Sequence, residues 1–328
     1  MESRRTAVAA FLLVATIAGA IASLAFGAVE VPLGQVIDVL TGKIDSGPQW
    51  VIVEQLRLPR TVEALVVGAA LGVAGACLQG ALSNPLASPD VIGVTGGAAF
   101  GAMLVILAFP DQALLLPLSA LLFGLIAAGF VFFIGFAGTR GGGIGRVILA
   151  GIAIASLFGA LTAGLMAAFP DRVPGGIFFL VGGLTSTGWE TMEKVWPYFL
   201  VGFVLAALLI RPLDRLALGD DVAASLGSKP RTIRFLAALA AALLASAAAS
   251  VAGLLAFLGL VIPHIVRLAG GTNRLTFVVP VSALGGAALL VSADTLARVV
   301  VAPVEVPVGP FLVLLGVPIF LWLLRKAV

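Results

Sequence analysis

The sequence predicts an all-α integral membrane protein with ten transmembrane helices in a single domain, residues 1–328, and three observations carry that prediction. Apolar residues make up 61% of the 328 and charged residues only 11%, with a mean hydropathy of +1.18, whereas a soluble domain carries about 25% charged residues. Apolar runs recur near the ~20 residues that a helix needs to cross a ~30 Å hydrocarbon layer. The short alternating stretches of an outer-membrane barrel are missing, so a β-barrel is excluded.

The runs at 7–26, 62–82, 114–137, 147–169, 196–210 and 277–293 are simple spans, as is 311–324 with its preceding turn. Residues 91–109 are apolar but carry Gly93, Gly96, Gly97 and Gly101. Such a helix is poor in intrinsic propensity and is expected to be buried, with neighbours packed closely against it. Residues 235–266 are too long for one crossing and short for two complete ones, so two short helices turning near Gly253 are expected. Residues 177–184 are too short to cross and are bracketed by Gly175, Gly176, Gly182 and Gly183, which suggests a half-inserted or interfacial helix. Gly68 and Gly72, like Gly93, Gly97 and Gly101, place small residues at i and i+4 for close backbone approach, read as packing within one chain rather than as a seam between two.

Two connections are more than turns. The stretch 28–58 contains an amphipathic segment at 31–40 suited to a short helix at the outer interface. The stretch 211–234 is the longest polar segment on the inner side. Within it Asp220 or Asp221 is placed to cap a helix of about two turns that Gly227 closes and Pro230 stops, although a plain solvated turn would also fit.

With the N-terminus inside, thirteen of the nineteen basic residues fall on the cytoplasmic side and eleven of the sixteen acidic residues on the other. That asymmetry is what orientation by positive charge requires, and it puts both termini in the cytoplasm. The initial Met-Glu-Ser-Arg-Arg followed by a full-length apolar run reads as a retained first helix rather than a removed signal peptide. The net charge of +3 is therefore attributed to topology and not to nucleic acid.

One cysteine, Cys77, and one histidine, His264, cannot build a disulfide framework, a zinc site or an iron-sulfur cluster. The glycine cluster at 138–146 lacks the lysine of a phosphate-binding loop, and no nucleophilic triad is visible, so neither ATP binding nor catalysis is expected of this chain. Glu63, Asp294 and Arg298 sit close to span ends, which argues against an ion-coupled secondary transporter, the alternative class. A weakly polar pathway suits a large chelate better than a bare ion, which would need convergent oxygen ligands.

Several segments together resemble the FecCD-like permeases, the membrane subunits of ATP-binding-cassette importers for iron-siderophores, haem and cobalamin. The resemblance is carried by Arg57-Leu-Pro-Arg60, Gly75-Ala-Cys-Leu-Gln-Gly80, Asn84-Pro-Leu-Ala-Ser-Pro-Asp90, Gly93-Val-Thr-Gly-Gly97, Gly219-Asp-Asp-Val-Ala-Ala-Ser-Leu-Gly227, Pro263-His-Ile-Val-Arg267, Ala293-Asp-Thr-Leu-Ala-Arg298, and Glu305-Val-Pro-Val-Gly309 with Gly316-Val-Pro318. Val306 stands where this family commonly has Leu. The resemblance implies a dimeric permease, homo- or heterodimeric, two cytoplasmic ATPase subunits that carry the ATP and Mg, and an extracytoplasmic substrate-binding protein. It further implies that Arg57, Arg60 and Arg298 dock acidic residues of that binding protein, and an arginine-carboxylate pair is directional enough to do so. Unaided, the residues allow equally that these arginines snorkel to headgroups or pair with Glu54, Glu63 and Asp294. Gly219, Asp220, Asp221, Ala223, Ser225, Leu226 and Gly227 would form the family's coupling helix against the ATPase. Asn84 and Leu86 would form its cytoplasmic gate, although Asn-Pro is also an ordinary helix stop. His264 reads as part of a turn, with a haem-ligand role left open.

Overall fold

The computed structural model describes residues 2–90, 92–136, 144–184, 188–300, 302 and 304–327. Their elements run α1 (Glu2–Ala25), α2 (Leu33–Leu40), α3 (Pro48–Trp50), a π-helical turn (Val51–Arg57), α4 (Leu58–Ala81), α5 (Val94–Ala108), α6 (Leu116–Phe136), α7 (Ile144–Ala168), α8 (Val173–Val181), α9 (Trp189–Leu216), α10 (Asp220–Ser225), α11 (Pro230–Ala252), α12 (Leu258–Gly270), α13 (Leu275–Val299) and α14 (Val308–Ala327). No strand occurs among the described residues. Among the described residues seven helices are long and apolar enough to cross a membrane: α1, α4 with its lead-in from Pro48, α6, α7, α9, α11 and α13. Shorter apolar helices, 10–17 residues long, occupy α5, α12 and Val308–Leu321 of α14.

Helix α4 is the centre of the bundle, packed by α13, α11, α12 and α9, while α1 lies at the periphery against α13. Glycine makes this possible, because a Cβ at Gly68 would stand 2.3 Å from the Gly286 carbonyl oxygen and one at Gly286 would stand 2.1 Å from that of Gly68. The α5–α6 seam works the same way at Gly97 and Gly101, against the carbonyls of Phe123 and Ser119. With lipid tails as apolar as leucine, such close van der Waals contact replaces the hydrophobic drive between helices.

Several boundaries differ from the sequence expectation, among them those of α9, which runs from Trp189 to Leu216 where the apolar run is 196–210. The region 235–266 does break at Gly253, with φ of 63°, into two helices, but only the second is short: α11 has 23 residues and α12 has 13. Pro230 explains the longer helix, since at the first helical position its missing N–H is no loss and its φ is already helical. Arg231, Thr232 and Arg234 thereby join the first turns of α11 instead of a loop. The run expected at 62–82 starts at Pro48, where α3 and the π-turn lead directly into α4, so the amphipathic α2 is confined to eight residues. The helix expected at 177–184 begins earlier, as α8. Part of the glycine cluster, residues 138–143 with Arg140, lies outside the described residues, as do Val91 and the side chains of Arg325 and Lys326.

Arginines terminate helices throughout the fold. The last carbonyls of a helix have no partner within it, and a cation there also suits the helix dipole. Arg4 donates to Leu268 and Ala269 at the end of α12, Arg172 to Leu107 of α5, and Arg234 to Ala81 of α4. Arg57 and Arg298 do the same for α1.

Candidate functional site

At one end of the bundle the start of α4, the end of α13 and the end of α1 converge. Arg57 precedes α4, Arg60 sits in its first turn behind Pro59, and Asp294 and Arg298 lie i and i+4 on one face of α13. Arg60 Nη2 approaches Asp294 Oδ1 at 2.9 Å and its Nη1 donates to Glu305 Oε2 at 2.6 Å. Arg298 Nε stands 3.2 Å from Asp294 Oδ2, an ion-pair contact without hydrogen-bond geometry, while its Nη2 donates to Ser23 Oγ at 2.7 Å. Arg57 Nη1 donates to the carbonyls of Leu24 and Ala25, both at 2.8 Å, and Nη2 donates to that of Val29.

Of the readings that the sequence left open for these arginines, pairing with Asp294 is present for Arg60 and Arg298. All three are buried in this chain, because each satisfies carbonyls or a carboxylate that would otherwise be unpaired. Asp294 is the acid that Arg60 and Arg298 share, and Glu63, also anticipated as a partner, has neither carboxylate oxygen hydrogen-bonded. Glu305, with 51% of its side chain exposed, is the one acid of the network that faces outward. Ser23 carried no sequence signal as a member of this cluster, and Glu305 carried one only through its motif.

At the opposite end, α4 runs into a tight turn. Ser83 has φ of 47°, the Asn84 N–H donates to the Gln79 carbonyl at 3.1 Å, and Asn84 Oδ1 accepts from the Leu86 N–H at 2.9 Å. Asn84 therefore shapes the turn with its own side chain, as asparagine does by mimicking a backbone turn, and Leu86 is left exposed. Gln79 is fastened to α12 by donating to the Leu260 carbonyl at 3.1 Å and accepting from Arg267 Nη1. Gln79, Asn84, His264 and Arg267 line a cleft of about 580 Å³ beside this turn.

Beside the same end stands α10. Its bounds, Gly219 with φ of 101° and Gly227 with φ of 76°, put glycines where an L side chain would be strained. Neither Asp220 nor Asp221 caps the helix: Gly219 is the cap residue and no side chain bonds there. Asp220 instead forms a two-pronged ion pair with Arg234, Oδ2 to Nη1 at 2.6 Å and Oδ1 to Nη2 at 2.7 Å. Ala223 is buried, the Ser225 hydroxyl donates to the Val222 carbonyl, and Val222 and Leu226 are exposed. No group of three or more His, Cys, Asp or Glu suited to a metal ion occurs among the described residues.

A central helix built on glycine contacts, a buried arginine cluster at one end and a short punctuated helix at the other define a multi-pass helical membrane protein. The sequence model of the FecCD transport family matches residues 13–326, and the chain belongs to that family. It is similar to the Fe(3+)-citrate import system permease protein YfmE of Bacillus subtilis, 37% identical over 92% of this chain and 90% of that one. The Fe(3+) dicitrate transport system permease protein FecD of Escherichia coli is 36% identical over 98% and 99% of the two chains. The hemin transport system permease protein HmuU of Yersinia pestis is 37% identical over 96% and 94%. Among solved structures, an inward-facing metal-chelate type ABC transporter aligns with a TM-score of 0.83 at 30% identity, covering 98% of this chain and 99% of that one.

Proposed function

We propose that this chain is the permease subunit of an ATP-binding-cassette importer that moves a ferric siderophore across the cytoplasmic membrane by alternating access. The observation that carries the reading is the family match over residues 13–326, joined to a short helix, α10, that holds Val222 and Leu226 exposed beside the bundle. An exposed apolar pair on a glycine-bounded helix suits a groove in another protein. That other protein is the ATPase, present in two copies and carrying ATP and Mg. The chain itself supplies no hydrolytic chemistry.

In this reading α1, α4, α5, α6, α7, α9, α11, α12, α13 and α14 are ten spans, both termini are cytoplasmic, and a second permease subunit completes the pathway. The turn at Asn84 and Leu86 is the cytoplasmic gate. Arg57, Arg60 and Arg298 form the docking end for an extracytoplasmic binding protein, with Arg60 reaching the surface through Glu305. Related permeases named for ferric citrate, ferric dicitrate and hemin support an iron chelate as cargo, with haem and cobalamin the nearest alternatives.

The test is uptake into proteoliposomes by the complex of permease, ATPase and cognate binding protein, offered ferric siderophores, ferric citrate, haem and cobalamin in parallel. ATP-dependent uptake of a ferric siderophore is the expected result. Uptake by the permease without any ATPase would replace the reading with a stand-alone transporter.

A further inference from the structure

The two ends of one guanidinium join parts of the chain that are far apart in sequence. Arg234, in the second turn of α11, uses both terminal nitrogens on the Asp220 carboxylate, and its Nε donates to the Ala81 carbonyl at 3.0 Å. Asp220 is the first residue of α10 and Ala81 the last of α4. Both contacts are chemically natural, because a helix start tolerates an acid and a helix end lacks donors for its last carbonyls. Only arginine makes both at once, since its planar fork fixes five N–H directions while lysine offers one compact charge.

We infer that Arg234 is a positioning residue that transmits movement of α10 to the turn at 82–86. The inference rests on the proposed assignment of α10 to the ATPase and of Asn84 and Leu86 to the gate. Covalently α10 is attached through tight turns at Gly219 and Gly227, both at positive φ. The side-chain tie bypasses them. On the gate side, Ala81 lies three residues before Asn84, and the intervening Ser83 is held in a left-handed conformation that a small shift of the helix end would disturb. Gln79, two residues before Ala81, is clamped to Leu260 and Arg267 of α12, so a pull at Ala81 bends the chain after that fixed point.

The experiment uses the full complex with Leu86→Cys as reporter, since Leu86 is exposed and the native Cys77 is fully buried. The rate of thiol labelling at position 86 is compared with and without Mg-ATP and vanadate. In the Arg234 parent the labelling rate is expected to change on nucleotide trapping by about fivefold or more. Arg234→Lys keeps a charge for Asp220 but cannot hold Ala81 as well, and it is expected to abolish most of that change while the ATPase still co-purifies. Asp220→Ala cuts the link on the other side and is expected to give the same loss, which decides the matter if the lysine variant assembles poorly. An unaltered nucleotide response in both variants overturns the inference while leaving the importer reading intact. Absence of any response in the parent complex removes the gate and coupling assignments, and the inference with them.

Discussion

Arg60 and Asp294 meet across the α4–α13 interface at 2.9 Å with 7% and 1% of their side chains exposed, and Asp294 simultaneously faces Arg298 at 3.2 Å. One buried carboxylate thus stands against two buried guanidiniums. Replacing it strips Arg298 of its acid and leaves Arg60 only the half-exposed Glu305, so Asp294→Ala is expected to cost about 3–5 kcal/mol, the usual effect of breaking a buried pair from one side. Glu305 pairs with the same arginine but is half exposed, and Glu305→Ala is expected to cost only ~0–1 kcal/mol. Thermal denaturation of the two variants in detergent, side by side, checks the contrast. Equal losses would mean that the burial of Asp294 does not set the strength of the network.

If Arg60 docks an acidic side chain of a binding protein, Glu305 competes for the same nitrogen. Glu305→Gln removes the competing charge and is expected to tighten docking by a few-fold at low salt, with the gain shrinking as ionic strength rises. Binding of the cognate binding protein to the reconstituted complex at two salt concentrations measures it. Weaker docking by the glutamine variant would make Glu305 part of the docking surface rather than its rival.

Glu63 is 1% exposed and neither carboxylate oxygen has a hydrogen-bond partner. An ionised carboxylate held that way is costly, but an amide of the same shape is left equally short of partners. Glu63→Gln is therefore expected to stay within about 1 kcal/mol of the native protein in thermal stability. A clear loss of stability would show that Arg60 and Arg298 depend on the Glu63 charge.

The glycines divide into two kinds that a melting experiment separates. Gly68→Ala drives a methyl into the Gly286 backbone, where nothing flexible can yield, and overpacking of this kind costs about 1–3 kcal/mol or more. A Cβ at Gly164 meets nothing within 4 Å, and Gly164→Ala is expected to be neutral or mildly stabilising through helix propensity. Similar behaviour of the two variants would mean that α4 and α13 have room to separate.

Much of this architecture could be read from residue types alone, and the exceptions have physical causes. Hydropathy marks spans because lipid demands apolar side chains, and the long helices appear where the apolar runs are. Hydropathy does not mark where a helix starts when proline and arginine begin it, which is why α11 and the lead-in to α4 extend past their apolar segments. Arg57, Arg60 and Arg298 were visible in the motifs that carry the family resemblance. Their burial was not, because the carbonyls of Ser23, Leu24 and Ala25 that two of them cap belong to α1, whose packing no local pattern encodes. Arg234 counted only as one more inner-face charge, since its partners Asp220 and Ala81 are 14 and 153 residues away.

The short helix α10 allows attachment to be separated from transmission. Leu226 is 56% exposed, so in the isolated chain Leu226→Asp removes little packing and is expected to change stability by no more than about 0.5 kcal/mol. In the complex the same carboxylate would be buried against the ATPase without a partner, and retention of the ATPase through size-exclusion chromatography is expected to fall. Ala223→Pro acts differently. The Ala223 N–H donates to the Gly219 carbonyl at 2.9 Å, and proline both deletes that donor and crowds the preceding turn. The exposed face then loses its rigid backing, and ATP hydrolysis should persist without matching uptake. Tight, fully coupled complexes from both variants would remove α10 from the ATPase interface altogether, whereas loss of retention in Leu226→Asp with loss of coupling in Ala223→Pro would assign one face of the helix to binding and its backbone to transmission.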